Sequence, residues 1–249
     1  IIFIIIYILV NGIPNLTTDL FSLHYNSKNQ SMLPSIFNTV FITFLTLLIA
    51  VPIGIFSAVY LVEYAKKGSK LVKVIRVTTE TLAGIPSIVF GLFGFLAFVI
   101  ALGWGYSMIA GVLTLVMMVL PTIIRTTEEA LLAVPNSYRE GSFGLGAGKI
   151  RTIFKIIVPT AIPGILSGVI LAIGRIVGET AALIYTSGTV AETATSLTDS
   201  ARTLSVHLYC LLSEGLFTNQ AYATAVILLL LVVGINALSN FIAKKLAKK

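Results

Sequence analysis

Runs of apolar residues long enough to cross a bilayer constrain this chain more than anything else in it. They lie at 36–62, 77–102, 106–124, 159–186 and 221–243, and a shorter apolar run opens the chain at 1–10. An α-helix rises about 1.5 Å per residue, so roughly 20 residues span a hydrocarbon core about 30 Å thick. Backbone that crosses lipid must satisfy its own hydrogen bonds, which leaves helices as the form for runs of this length. The composition agrees: 57% of residues are hydrophobic and 11% charged, where a soluble domain has roughly a quarter charged. The expected fold is an all-α polytopic membrane protein with six transmembrane helices. The first, at 1–10, rises about 15 Å and is read as truncated.

The net charge of +7 reports topology and not nucleic acid, because the basic residues fall between apolar runs and not on one face. Loop 63–76 holds Lys66, Lys67, Lys70, Lys73 and Arg76. Loop 125–158 holds Arg125, Arg139, Lys149, Arg151 and Lys155, and the tail 244–249 holds Lys244, Lys245, Lys248 and Lys249. Lys28 and Arg202 are the only Lys or Arg residues in the segments at the opposite ends of the spans. Cytoplasmic loops carry the Lys/Arg excess, so both termini are expected in the cytoplasm and segments 11–35 and 187–220 outside. The basic loops also suit anionic lipid, each residue near the surface contributing about 1 kcal/mol. The single cysteine, Cys210, excludes an internal disulfide and a multi-cysteine metal site, and His24 and His207 have no ligand spacing.

Segment 135–158 is the most informative polar stretch. Pro135 stands where a helix begins, followed by Asn136, Ser137 and Glu140, which suit a first turn. A short helix over about 135–145 is expected. Gly144, Gly146 and Gly148 then allow a bend, and Lys149 to Ile157 form a second helical piece leading to Pro159, the two lying on the membrane surface. Gly144-Leu145-Gly146-Ala147-Gly148-Lys149 imitates a phosphate-binding loop but lacks its first glycine, which is Phe143 here, and the Ser or Thr after the lysine, which is Ile150. No nucleotide site and no catalytic residue is expected in this chain, nor an intramembrane Asp pair or His-Glu-x-x-His motif.

Arg175 is the one basic residue inside a span, and Glu179 follows four residues later, on the same helical face. An arginine at mid-bilayer costs at least about 2.5–3.5 kcal/mol, so such residues face a pathway or a partner. A planar guanidinium suits bidentate binding of an oxyanion; phosphate, sulfate and molybdate fit it equally. Glu179 would neutralise it in the empty state, with Thr180, Thr186 and Ser187 as neighbouring hydroxyls. A structural ion pair is the alternative. Gly164, Gly168, Ala172 and then Gly174, Gly178, Ala182 form small-residue ladders at four-residue spacing, which let another helix approach.

The spacing Glu140-Gly141-Ser142, three residues, Gly146, nine residues, Ile156-Ile157-Val158-Pro159 resembles the cytoplasmic signature of ABC importer permeases. The family usually has Glu-Ala-Ala in the first block and Ile-x-Leu-Pro in the last, so Gly141, Ser142 and Val158 depart from it. Gly84-Ile85-Pro86-Ser87-Ile88-Val89-Phe90-Gly91, Arg175-Ile176-Val177-Gly178-Glu179-Thr180 and Arg202-Thr203-Leu204-Ser205-Val206-His207 look like the phosphate permeases of the PstA type, from about residue 36 onward. The resemblance implies a type I ABC importer permease fold over 36–243 and ATPase coupling through Glu140, Gly141, Ser142, Gly146, Ile156 and Pro159. It also implies phosphate passage at Arg175 and Glu179, beside which Thr180 is read from its position as a hydroxyl of the same pathway. It implies a PstC-type second permease, a PstB-type ATPase dimer that uses ATP and Mg, and a PstS-type phosphate-binding protein, all at a bacterial or archaeal inner membrane. No metal or cofactor of this chain's own is implied.

Overall fold

The computed structural model describes residues 2–66 and 68–247; Lys67, Lys248 and Lys249 of the expected basic segments lie outside them. Every regular element among the described residues is helical: α1 (Ile2–Gly12), α2 (Leu33–Val59), α3 (Lys70–Ala83), α4 (Ser87–Gly94), α5 (Met108–Leu132), α6 (Asn136–Gly144), α7 (Lys149–Thr152), α8 (Val158–Val177), α9 (Ala181–Thr186), α10 (Leu204–Glu214) and α11 (Thr218–Ala247). Wide π-turns extend α2 through Tyr60–Tyr64 and α4 through Phe95–Ala101, and join α7 to α8 through Ile153–Ile157.

Four of the helical stretches are long and apolar enough to cross a membrane: Leu33–Tyr64, Met108–Leu132, Lys149–Val177 and Thr218–Ser239. A fifth forms if the broken pair Lys70–Ala83 and Ser87–Ala101 counts as one, and α1 is the short apolar helix expected at the start. The most apolar window of α5 is 67% buried against 22–33% in the other three, so α5 is the span this chain packs most completely. Exposed Phe37, Phe41, Phe44 and Leu48 on α2, and Leu230, Val233 and Leu238 on α11, are what a lipid-facing surface requires.

Two expectations change. The run at 77–102 is not one helix, because it breaks at Gly84-Ile85-Pro86. Pro86 has no N–H to give and pushes Ile85 away from helical geometry; it stands as the extended N-cap of α4, φ −58°, ψ 140°. Conversely, Lys149–Ile157 is not a separate surface piece but runs without interruption into α8. The π-turn explains how Pro159 is tolerated: the Val158 N–H reaches back five residues to Ile153 O, and the proline follows where the regular i→i−4 ladder is already interrupted.

The chain divides into two compact units. One comprises Ile1–Thr46, Pro86–Val116 and Gly174–Ile235, the other Leu47–Ile85, Met117–Ile173 and Asn236–Lys249. In the first, α9 packs against α4 through residues too small to hold them apart, a Cβ on Gly91 coming within 2.8 Å of Ala182 Cα, and α5 comes close to the end of α9 in the same way, a Cβ on Gly111 coming within 2.8 Å of Ser187 Cβ. In the second, Ala58, Val59, Leu131, Val134, Ile153, Ile157, Ala161 and Ile165 form a buried apolar cluster. Gly164 and Gly168 of the first expected ladder do admit α5, at Ala130 and Thr126. Of the second ladder only Ala182 acts this way, at Gly91 of α4; Gly174 meets nothing within 4 Å and Gly178 only the carbonyl of Gly174.

Candidate coupling element and substrate pathway

The expected surface helix forms as α6, with Pro135 as its N-cap. Its C-terminus is a Schellman motif: Gly146 N–H donates to Phe143 O (2.9 Å) and Ala147 N–H to Ser142 O (3.1 Å), with Gly146 in the left-handed region at φ +80°. Of the three glycines expected to bend here, only Gly146 requires positive φ; Gly148 is extended. The way α6 stops therefore explains why glycine stands at position 146 of the signature.

The remaining signature residues have distinct surroundings. Ser142 is buried, its hydroxyl 2.8 Å from that of Thr152 on α7, which ties the two arms of the turn together. A Cβ on Gly141 would meet nothing within 4 Å, so the alanine usual in the family would fit. Ile156 is half-buried beside the cluster of Ile153 and Ile157, and Glu140 and Pro159 are exposed. Tyr138, Phe143, Leu145, Ile150 and Phe154 are also exposed, Leu145 to 91%. The element thus presents apolar side chains outward on a scaffold held from behind.

What holds it is Arg139, which reads in the sequence only as a loop charge. Its Nε and Nη2 donate to Glu63 Oε1 at 3.1 and 2.7 Å, and Nη2 and Nη1 donate to the carbonyls of Leu131 (3.1 Å) and Val134 (3.0 Å) at the end of α5. The two side chains are 16% and 10% exposed. One guanidinium therefore joins α6, the last turn of α5 and the π-turn that ends α2. Next to Glu63, the ring of Tyr64 receives Lys149 Nζ at 4.7 Å from its centroid, a cation–π contact. Glu63 lies 76 residues from Arg139, and no local pattern joins them. Arg76, likewise a loop charge in the sequence, pairs with Glu128 of α5.

At the intramembrane charges the structure departs from the sequence reading. α8 ends at Val177, Gly178 to Thr180 are not helical, and α9 restarts at Ala181. Arg175 and Glu179 therefore do not share a continuous helical face, and no carboxylate among the described residues lies within 4.0 Å of the guanidinium. Glu179 is buried at 7% exposure. Its Oε1 accepts the Ala182 N–H at 3.0 Å, capping the first turn of α9, where a carboxylate also meets the positive end of the helix. Its backbone carbonyl accepts Ser205 Oγ at 2.6 Å. Arg175 is half-buried. Thr180 is half-buried and its hydroxyl stands 3.4 Å from Gly178 O; Thr186 and Ser187 turn theirs to the carbonyls of Ala182 and Ala201. The expected pathway residues thus sit on one broken-helix element, with Glu179 as its brace and not as the counter-ion of Arg175.

Residues 50–249 match the family described as binding-protein-dependent transport system inner membrane component. This chain belongs to that family. It is 33% identical over 98% of its length to a probable ABC transporter permease protein of Bacillus subtilis, YqgI, covering 88% of that protein. It is 45% identical over 56% of its length to the phosphate transport system permease protein PstA 1 of Mycobacterium tuberculosis, of which it covers 45%. The chain thus spans most of the first relative and about half of the second. A chain of a bacterial alginate ABC transporter, solved in complex with an alginate-bound periplasmic protein, has the same fold: TM-score 0.72 at 16% identity, over 98% of this chain and 88% of that one. The fold is that of the type I ABC importer permease, and the chain is a multi-pass membrane transport component.

Proposed function

We propose that this chain is the transmembrane permease subunit of an ATP-driven phosphate importer, forming the path for inorganic phosphate with a second permease of the PstC type. The observation that carries the reading is Arg175: a half-buried guanidinium beside a helix break, with no carboxylate within 4.0 Å among the described residues. An uncommitted planar cation in a low-dielectric setting favours a tetrahedral oxyanion, which it binds through paired N–H groups. Discontinuous membrane helices are where transporters place such sites. The likeness to phosphate permeases favours phosphate among the oxyanions.

In this reading a loaded PstS-type protein docks on the outer segments 11–35 and 187–220. A PstB-type ATPase dimer binds α6 and the turn after it through Glu140, Gly141 and the exposed apolar side chains of that element, which Ser142 and Gly146 hold in shape. Movement of α6 passes through Arg139 to Glu63 at the end of α2 and along the continuous Lys149–Val177 helix, entered through Ile156 and Pro159, to Arg175. ATP and Mg act in the ATPase; Glu179 and Thr180 shape the break and Arg175 holds the anion. The Lys/Arg distribution argues for both termini in the cytoplasm. The test of substrate is uptake of labelled phosphate into vesicles carrying the full complex, with excess sulfate as competitor. Uptake that requires ATP and resists sulfate is expected; strong sulfate competition would assign the chain to another oxyanion.

A further inference from the structure

Helix α3 has two unlike faces. Inward, Val72 and Ile75 pack with Leu61, Leu120 and Ile124, and Arg76 is fastened to Glu128. Outward, Leu71, Val74 and Val77 are 57%, 60% and 54% exposed, and Lys70 and Lys73 are exposed among them. Lys70, Lys73, Val74, Val77 and Thr78 line a shallow groove of about 380 Å³. Neither lysine pairs with a carboxylate among the described residues. Both stand at the start of a helix whose first turn has no acidic residue, where positive charge opposes the helix dipole and gives nothing to folding.

A membrane-embedded chain that keeps valines and unpaired ammonium groups side by side on one exposed helix face offers the two chemistries of a phospholipid. Acyl carbon lies against the valines and phosphate against the lysines, whose stems reach along apolar surface to put charge at the headgroup level. The break at Gly84-Ile85-Pro86 separates this helix from the apolar α4, so α3 is not bound to follow that span across the bilayer. Lys66, exposed just before it, adds charge of the same sign. We propose that α3 lies in the headgroup layer and that its Lys70–Lys73–Val74–Val77 groove binds an anionic phospholipid.

The test uses the full chain in nanodiscs of phosphatidylcholine mixed with phosphatidylglycerol, with retained lipid counted by native mass spectrometry. The chain is expected to retain phosphatidylglycerol preferentially. Lys70→Gln and Lys73→Gln should each lower that preference about fivefold, the factor equivalent to about 1 kcal/mol per surface lysine, while Lys28→Gln leaves it unchanged. No preference, or one indifferent to the double variant, overturns the proposal. A second measurement does not depend on removing charge: a spin label at Val77→Cys, in a Cys210→Ala background, in membrane vesicles. Relaxation by a lipid-borne agent is expected. A label shielded from both lipid-borne and aqueous agents means that a protein partner covers the face, and the proposal fails.

Discussion

Arg175 and Glu179 are four residues apart in sequence and have different roles. The carboxylate is engaged by the first turn of α9, which leaves the guanidinium without a counter-charge from it. That both residues are out of place in a span is legible in the sequence; their division of labour is not, because Gly178 is the only local hint that the helix stops between them. Gly141 is a simpler case. It is helical, has open space where a Cβ would stand, and weakens α6 by its backbone freedom. Gly141→Ala should therefore stabilise the chain by about 0.5–1 kcal/mol, seen as a raised midpoint in thermal unfolding; a lowered midpoint would mean that α6 does not accommodate a Cβ at this position.

At the scale of elements, the coupling turn is legible in the sequence and its anchorage is not. Pro135, the glycines and the spacing to Pro159 foretell a helix, a turn and a second helix, and Gly146 stands where a Schellman motif needs it. Arg139–Glu63 is non-local, so no periodicity or spacing reveals it. Removing one partner of a largely buried pair leaves the other uncompensated, which costs about 3–5 kcal/mol. Arg139→Ala should lower thermal stability accordingly and lose ATPase co-purification, because α6 loses its hold on α2 and α5. Intact stability and co-purification would show that the apolar cluster alone holds the element.

A second element, α10, carries a pH dependence. His207 is buried against the Tyr25 ring, with Arg202 Nη1 3.3 Å from its Nδ1. Burial first, then the Arg202 charge, lower its pKa to about 4, against a smaller upward effect of the Gln30 backbone. The unfolded chain, with a histidine near 6.5, binds more protons than the folded one between these values. The contribution of His207 to stability is thus fully present above about pH 6.5 and is lost as pH falls towards about 4. His207→Gln should flatten the stability–pH slope in that window, measured by thermal unfolding at several pH values; an unchanged slope would place the titrating group elsewhere.

For the whole molecule, hydropathy alone delivers the all-helical class, the places of the apolar spans and the basic loops, because each follows from what lipid permits. It runs straight through Gly84-Ile85-Pro86 and Gly178-Glu179-Thr180, since breaks inside apolar sequence barely alter mean hydropathy, although the proline announces the first. Those two breaks free α3 from the apolar α4 and set Arg175 apart from Glu179. Whether Arg175 holds the transported anion, or is instead a structural partner, is decided by phosphate-uptake kinetics of the full complex. Arg175→Ala and Arg175→Lys would be measured beside the unmutated chain, after checking that each variant still assembles with its ATPase. Arg175→Ala is expected to abolish uptake, and Arg175→Lys, which keeps the charge but not the bidentate fork, to retain weakened uptake. Unchanged uptake by Arg175→Ala in an assembled complex would make Arg175 a structural residue and move the anion site elsewhere.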